Sequence, residues 1–236
     1  MADTQSLEKP SGTQPEYHYA PYVSSVLRSP RLPLVVLPQA FLHCEGPVFG
    51  HSLVGALDND LTAQHAAEPI GERIVVHGRV MDEDGRPIRN ALIEVWQANA
   101  AGRYRHRSDQ SEMPLDPNFS GAGRTMTDSE GRYIFRTIKP GPYPWRNHYN
   151  AWRPAHIHFS LFGAGLLSRL VTQMYFPGDP LQPFDPIFNS IADENARNRL
   201  VSRFDMERSE PDRALAFSFD IVLRGAGETP FEGDTR

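Results

Sequence analysis

The clearest pattern along the chain is an alternation of apolar and polar positions, which is typical of β-strands. In Arg73–Met81, Ile74, Val76 and Val80 share one face, while Val75, His77 and Arg79 lie on the other. The same pattern, interrupted by turns such as 82–85, recurs at 91–96, 133–138, 155–162, 170–176 and 215–223. Six or more short strands joined by glycine-containing turns predict an all-β fold of the β-sandwich type.

Two regions depart from this pattern. Residues 192–204 have helical spacing, with Leu200, Val201 and Phe204 on a weak apolar face, and predict one short surface helix against a sheet edge. Residues 1–69 lack periodicity apart from a short predicted helix at 22–27 and an extended segment at 34–37 between prolines. We therefore expect an irregular, partly helical N-terminal arm (1–69) that packs on a partner chain, followed by a β-sandwich domain (70–236).

Composition narrows the class of protein. A length of 236 residues suits one β-rich domain with an extension. A net charge of -5 without a basic run argues against nucleic acid binding. We see no apolar stretch of 18 residues and no charged-then-apolar leader, so neither a membrane span nor secretion is expected. The single cysteine, Cys44, is typical of a reducing compartment and predicts a cytoplasmic protein.

Candidate chemistry concentrates in residues 141–159, which read GPYPWRNHYNAWRPAHIHF. His156 and His158 are two residues apart in a predicted strand, so both imidazoles leave the same face with Cβ atoms about 7 Å apart. A metal about 2.1 Å from each ring nitrogen fits between them. The alternative is that the two histidines only form a solvated polar face of the strand and bind no metal. The surrounding aromatic residues and prolines instead indicate a partly enclosed site, where unpaired imidazoles are unfavourable.

The other donors narrow the choice of metal. A single cysteine excludes a thiolate cluster, and no His-Glu-x-x-His motif occurs. No carboxylate lies between Glu130 and Asp179 to complete an Fe(II) triad with the two histidines. The chain offers instead the phenols of Tyr104, Tyr143 and Tyr149. A phenol has an ordinary pKa near 10, and only a strongly polarising cation deprotonates it at neutral pH, so Fe(III) is the natural candidate.

These residues belong to long motifs that extend over most of the chain. The segments are 141–146 (GPYPWR) and 152–159 (WRPAHIHF), with 27–30 in the arm after Tyr22, and 69–73, 94–99, 115–119, 135–140 and 219–225. They resemble the intradiol ring-cleaving dioxygenases, and within that family the β subunits of the branch that cleaves protocatechuate. The resemblance implies a prealbumin-like sandwich and a non-haem Fe(III) enzyme. Such an enzyme opens protocatechuate (3,4-dihydroxybenzoate) with O2 to 3-carboxy-cis,cis-muconate, in aromatic catabolism through the β-ketoadipate pathway.

The resemblance also implies a ligand set, carried over by motif position. Tyr104, Tyr143, His156 and His158 match the family's iron ligands. Two phenolates leave Fe(III) with one positive charge. Tyr143, in the GPYP segment, matches the ligand that departs and accepts a substrate proton, while Tyr104 stays bound.

Further residues match the family's substrate site. Arg153 matches a cation that stabilises negative charge on the substrate, and Gln173 matches an amide on the side where O2 approaches. Trp145 and Ile187 match pocket walls, and Tyr22 matches the arm tyrosine that approaches the substrate. Trp96 and Trp152, the other two tryptophans, are expected in the core.

Because all four ligand positions are filled, the resemblance implies the catalytic β partner of an α chain in a hetero-oligomer. The α chain is expected to share the pocket and the binding of the substrate carboxylate. Two alternatives stay open. One is the same chemistry on catechol, hydroxyquinol or a chlorocatechol, against which the long arm and the segment 143–147 argue. The other is a metal-free, transthyretin-like binding module, which would not need two tyrosines and two histidines together.

Overall fold

A computed structural model of the chain describes residues 12–32, 53–145, 147, 151–163 and 169–231. The strands are β1 Arg73–Met81, β2 Leu92–Trp96, β3 Ala122–Met126, β4 Arg132–Ile138, β5 Tyr143–Pro144, β6 Trp152–Arg153, β7 His156–Phe162, β8 Leu170–Tyr175, β9 Arg203–Glu210, β10 Ala214–Ser218 and β11 Ile221–Val222. The helices are α1 Ser25–Arg28, α2 Pro186–Asn189 and α3 Glu194–Asn198, with a 3-10 turn at Gln182–Phe184 before α2. Among the described residues, no helix is both long and apolar enough to cross a membrane. The prediction of an all-β fold is confirmed.

The strands form two principal sheets. In the first, β1 pairs antiparallel with β4 on one side and parallel with β10 and β11 on the other, and β9 extends the sheet beyond β10. The second sheet has the order β3-β2-β7-β8, with every neighbouring pair antiparallel. A small ribbon of β5 and β6 stands apart from both sheets. This ribbon matters for the site described below because it carries Tyr143 and Arg153.

The core lies between the two sheets and uses one face of each strand. From β7, Ile157, Phe159 and Leu161 are buried in it, as the alternating pattern predicts. The Phe159 ring meets the rings of Tyr133 and Phe219 from the first-sheet side, with centroids 5.8 and 5.3 Å apart. Burial of such a side chain contributes about 1.5–3 kcal/mol to folding. Since odd-numbered residues of β7 fill the core, the even-numbered ones face away from it.

Residues just before β1 close one edge of the sandwich. Leu61 is fully buried in the main core. Its N–H donates to the carbonyl of Arg136 on β4, and the N–H of Arg124 on β3 donates to the carbonyl of Asp58. The short segment 58–61 thereby connects the edges of both sheets. The division of the chain at residue 69 and the packing of the arm on a partner stay predictions, and the segment 34–37 lies outside the described residues.

The helix predicted over 192–204 is wrong in length, because α3 covers only Glu194–Asn198. The backbone then pairs with the end of β8: the N–H of Tyr175 donates to the Leu200 carbonyl, and the N–H of Ser202 donates to the Tyr175 carbonyl. This pairing pulls the chain into an extended conformation that continues as β9. Phe204 is therefore a strand residue that contacts Phe217 of β10. Non-local strand pairing outweighs the local helical spacing.

β1 passes so close to residue 219 that its middle position requires glycine. A Cβ added at Gly78 would lie 1.9 Å from the carbonyl oxygen of Phe219. That oxygen is held in place because it accepts a hydrogen bond from the Tyr133 hydroxyl. The backbone of β1 therefore cannot accept a side chain here without separating from the segment that follows β10.

We expect Gly78→Ala to lower the free energy of unfolding by about 1–3 kcal/mol, the usual effect of overpacking a core. Gly227→Ala is the matched control, because a Cβ there would meet nothing within 4 Å. It should change stability by less than about 0.5 kcal/mol. Chemical denaturation of the wild type and both variants measures the two effects. Equal stability of the two variants would contradict the close approach.

Candidate metal centre

β7 carries the two histidines at the centre of the site. It lies between β2 and β8, with Ile157 and Phe159 in the core, so His156 and His158 project from the opposite face. Both are buried, with exposed fractions of 1% and 8%, and their ring centroids lie 4.9 Å apart. The prediction that they share one face is confirmed. A strand paired on both sides keeps this separation fixed.

Two loop segments bring tyrosines to these histidines. Tyr143 lies on β5, and Tyr104 lies in the loop between β2 and β3. The two segments are tied together because the N–H of Gly141 donates to the carbonyl of Asn99 at 2.9 Å. Gly102 has a positive φ of 78°, and a Cβ there would lie 2.1 Å from the carbonyl oxygen of the residue before Tyr143. Glycine thus lets the two tyrosine segments pack closely.

The four aromatic side chains converge on one place. The ring centroids of Tyr104 and Tyr143 are 5.4 Å apart, those of Tyr143 and His156 are 5.5 Å apart, and those of Tyr104 and His158 are 6.4 Å apart. The Tyr143 hydroxyl lies 3.4 Å from Nε2 of His156. Within the described ranges, no group of three or more His, Cys, Asp or Glu side chains could hold a metal. A ligand set at this place therefore needs the phenols.

The tautomer of His156 suits a metal ligand. Its Nδ1 lies 2.7 Å from the carbonyl oxygen of Pro154. A carbonyl only accepts, so Nδ1 carries the proton and Nε2 keeps a lone pair, which accepts a hydrogen bond from Nη1 of Arg153 in this structure. Burial lowers the pKa of His156 well below its ordinary value, and the positive charge of Arg153 lowers it further. The imidazole is therefore neutral at physiological pH.

His158 is held by a tryptophan from the neighbouring strand. Trp96 lies directly opposite His158 in the β2–β7 register, and their rings stack with centroids 4.7 Å apart and an interplanar angle of 5°. Trp96 is partly buried beside the site, and it is not a member of the main core. Trp152, also expected in the core, is 37% exposed because it lies on the isolated β5–β6 ribbon. The core expectation is wrong for both.

A buried arginine lies against the ligand candidates. Arg153 has an exposed fraction of 2%, and its Nη1 is 2.9 Å from Nε2 of His156 and 3.4 Å from the Tyr143 hydroxyl. The carboxylate of Asp185 balances its charge at 2.9 Å. Burial alone would lower the pKa of Arg153, but Asp185 and the hydroxyls of Tyr143 and Tyr175 raise it well above its ordinary value. The guanidinium therefore stays charged inside the protein.

The donor set fits Fe(III). Burial raises the pKa of Tyr143, and the opposing effects of Arg153 and of a hydrogen bond with Tyr104 do not cancel that increase. Without a metal this phenol is protonated at neutral pH, so a ligand role requires a strongly polarising cation. Two phenolates and two neutral imidazoles would offset two of the three charges of Fe(III). Hard anionic oxygen donors with imidazole nitrogen suit that ion.

The remaining predicted residues surround this centre. Oε1 of Gln173 accepts a hydrogen bond from Arg153 at 2.6 Å, and its Nε2 is buried without a partner in the described part of the chain. The Tyr22 and Trp145 rings contact edge to face at 5.0 Å, and the Trp145 ring lies 5.7 Å from the Arg153 guanidinium carbon. Ile187 is on α2, where it lines a small cavity with Gln173.

Sequence reasoning missed Asp185 and Tyr175, both of which bind Arg153. Asp185 precedes Pro186 and accepts the N–H of Ile187, as an N-cap does. The Asp-Pro pair was therefore a signal for a helix start. It gave no signal for an ion pair with a residue 32 positions earlier.

Comparisons with known proteins identify the family of the chain. A family model described as dioxygenase matches residues 44–225, and one described as protocatechuate 3,4-dioxygenase beta subunit N terminal matches residues 8–40. The protocatechuate 3,4-dioxygenase beta chain of Burkholderia cepacia is 60% identical over 93% of this chain and 94% of its own length. The alpha chain of the same-named enzyme from Pseudomonas putida is 34% identical over 68% of this chain and 76% of its own.

A solved structure of similar fold carries a related name. The 3-chlorocatechol 1,2-dioxygenase of Rhodococcus opacus 1CP superposes with a TM-score of 0.56 at 26% identity, covering 76% of this chain and 70% of that one. The sandwich is therefore shared with an enzyme named for a different catechol. Taken with the family models, which together match most of the sequence, these similarities establish that the chain belongs to the intradiol dioxygenase family.

Proposed function

We propose that this chain is the catalytic chain of a non-haem Fe(III) dioxygenase that cleaves protocatechuate with O2 to 3-carboxy-cis,cis-muconate. The observation that supports the proposal most is the convergence of two phenols and two imidazoles beside a buried arginine. The high identity to a relative named for protocatechuate supports the choice of substrate. The reaction would serve aromatic catabolism through the β-ketoadipate pathway, and the single cysteine suits a cytoplasmic enzyme.

Tyr104, Tyr143, His156 and His158 would hold the iron. When bound, Fe(III) would favour deprotonation of the two phenols and withdraw electron density from a chelated catechol, which activates the ring toward O2. The protein prepares its side of the site in advance. The Pro154 carbonyl keeps Nε2 of His156 free of a proton, and the stacked Trp96 ring orients His158.

Tyr143 is placed to move a proton. Its oxygen lies 3.4 Å from Nη1 of Arg153, so the guanidinium favours the phenolate. Burial raises the pKa of the same phenol, so a phenolate released into this pocket takes up a proton readily. The Tyr143 oxygen would accept the proton of one catechol hydroxyl as the substrate binds. Tyr104 would remain an iron ligand when the substrate binds.

Arg153 and Gln173 would act on the substrate side. Negative charge grows on the ring as the catechol loses its protons, and a fixed, buried guanidinium stabilises that charge without reorganisation. Since Arg153 engages Oε1 of Gln173, the amide nitrogen is left as a donor for a substrate or oxygen atom. Tyr22 and Trp145 would form a wall that excludes water.

We also propose an α chain as partner, supported by the relatives named alpha chains that are similar to this sequence. It would complete the pocket and contribute to binding of the substrate carboxylate. Another catechol is the second candidate substrate, since the sandwich resembles an enzyme named for chlorocatechol. The packing of Tyr22 from the arm on Trp145 favours protocatechuate, because the arm residues match a model specific to that branch. A metal-free binding module gives no reason for the four converging donors.

Tyr104→Phe should weaken and shift the visible absorption expected of the iron-loaded protein, leaving the contribution of Tyr143. A tyrosinate bound to Fe(III) gives a charge-transfer band, and a phenyl ring without the hydroxyl cannot ligate. The wild-type band should shift when protocatechuate is added without O2. Tyr17→Phe, on an exposed residue, is the control and should keep the band. A colourless wild-type protein that contains zinc or no metal would disprove the iron assignment.

The chain co-expressed with its α-type partner should consume O2 with protocatechuate at least about tenfold faster than with catechol or hydroxyquinol. The physical reason is the loss of carboxylate contacts, since one charge-assisted hydrogen bond contributes about 1.5–3 kcal/mol. The chain expressed alone should be unstable or inactive. An oxygen electrode and chromatography of the product measure both. A well-folded lone chain with full activity would argue for a homo-oligomeric enzyme instead.

A further inference from the structure

Behind the arginine of the site lies a fully buried carboxylate. Asp185 has an exposed fraction of 0%, and its Oδ2 accepts from Nη2 of Arg153 at 2.9 Å and lies 2.9 Å from the Tyr175 hydroxyl. Its Oδ1 accepts from Nε of Arg153 at 3.3 Å. The two carboxylate oxygens thus accept from two different nitrogens of the guanidinium, and this bidentate contact fixes the plane of the group.

The bidentate contact leaves only Nη1 of Arg153 to contact the ligand candidates Tyr143 and His156. Nη2 also donates to Oε1 of Gln173 at 2.6 Å and lies 2.9 Å from the Tyr175 oxygen. Nε and Nη2 are therefore used on the side away from the ligand candidates. Only Nη1 approaches Tyr143 and His156. The direction of Nη1 follows from the bonds made by the other two nitrogens.

We propose that Asp185 is a positioning residue for the reaction, acting through Arg153. It holds the guanidinium with Nη1 directed at Nε2 of His156 and at the Tyr143 oxygen, beside the place where substrate charge would develop. The inference rests on the proposed function and adds a residue to it. Without the carboxylate, the arginine would carry an uncompensated buried charge and would be free to rotate toward other acceptors. The side chain of Asp185 contacts Arg153, the Tyr175 hydroxyl and the N–H of Ile187, so it would act through Arg153.

Asp185 also caps α2, so a test of its effect on Arg153 must leave the helix cap intact. Its side chain also accepts the N–H of Ile187 and so caps α2. Asparagine caps a helix about as well as aspartate, so Asp185→Asn removes the charge and keeps the cap. Asp193→Asn is the matched control, because Asp193 caps α3 by accepting the N–H of Ala196.

The first measurement is steady-state kinetics of the iron-loaded enzyme with its partner chain. Asp185→Asn should lower kcat about 100-fold and change KM less than about threefold, as expected when a transition-state donor is misplaced. Asp185→Glu should recover part of the loss. When Asp185→Asn is added to an Arg153→Met background, kcat should fall less than about threefold further. Asp193→Asn should match the wild type within about twofold.

The second measurement uses the metal-free protein and needs no activity. Asp185→Asn should lower Tm by about 10 °C, because a buried cation loses its partner. The same change in the Arg153→Met background should lower Tm by less than about 3 °C. If Asp185→Asn does not fold, Tyr175→Phe removes a hydroxyl from the same network and should lower kcat about tenfold only while Arg153 is present.

The outcomes separate the two proposals. Retention of wild-type kcat in Asp185→Asn, or an equal loss with and without Arg153, would overturn the positioning role and leave the proposed function standing. A wild-type enzyme that cleaves no catechol would overturn the proposed function. The Tm comparison would then decide alone whether Asp185 holds Arg153.

Discussion

The structure depends on the pairing of β7 in the middle of the second sheet. One face of this strand supplies Ile157, Phe159 and Leu161 to the core, and the other face carries His156 and His158. A register slip of one residue would bury the imidazoles in the core and expose the apolar side chains. The hydrophobic effect that stabilises the sandwich therefore also fixes the site. Core packing and chemistry cannot change independently here.

The second constraint is electrostatic. A charged guanidinium is unfavourable in a protein interior unless it is paired and hydrogen-bonded on most sides. Asp185, Tyr175 and Gln173 satisfy Arg153 on one side, and its remaining nitrogen faces Tyr143 and His156. This fixed positive charge helps to keep His156 neutral and lowers the effect of burial on the pKa of Tyr143. One ion pair thus influences the protonation state of two ligand candidates.

The arm and the ribbon meet beside this charge. The N–H of Ser24 donates to the side-chain oxygen of Asn147 at 2.9 Å. The Tyr22 ring packs on the Trp145 ring. The N-terminal segment therefore contacts the same loop that carries Tyr143. Residues 12–16 are tied to the C-terminal segment, where the Gln14 side chain binds Glu228 and accepts the N–H of Phe231. The described part of the arm therefore contacts the C-terminal segment through Gln14 and the candidate site through Tyr22.

The sequence alone determined the features that depend on local spacing. Alternation placed the core strands, and the spacing of His156 and His158 put both on one face, because successive side chains of a strand alternate. Residue types alone indicated phenol and imidazole ligands. β3, with the sequence AGRTM, has no regular alternation of apolar and polar residues, so its position follows only from pairing with β2.

Tertiary structure decided what depends on residues far apart in the chain. The predicted C-terminal helix is shortened because residues 200–202 pair with Tyr175 at the end of β8. Trp96 lies beside the site because the register places it opposite His158. Asp185 becomes the partner of Arg153 because the turn before α2 packs against the ribbon. Spacing within one strand is a local property, whereas a strand edge, a cross-strand stack and a buried ion pair exist only after distant segments pack together.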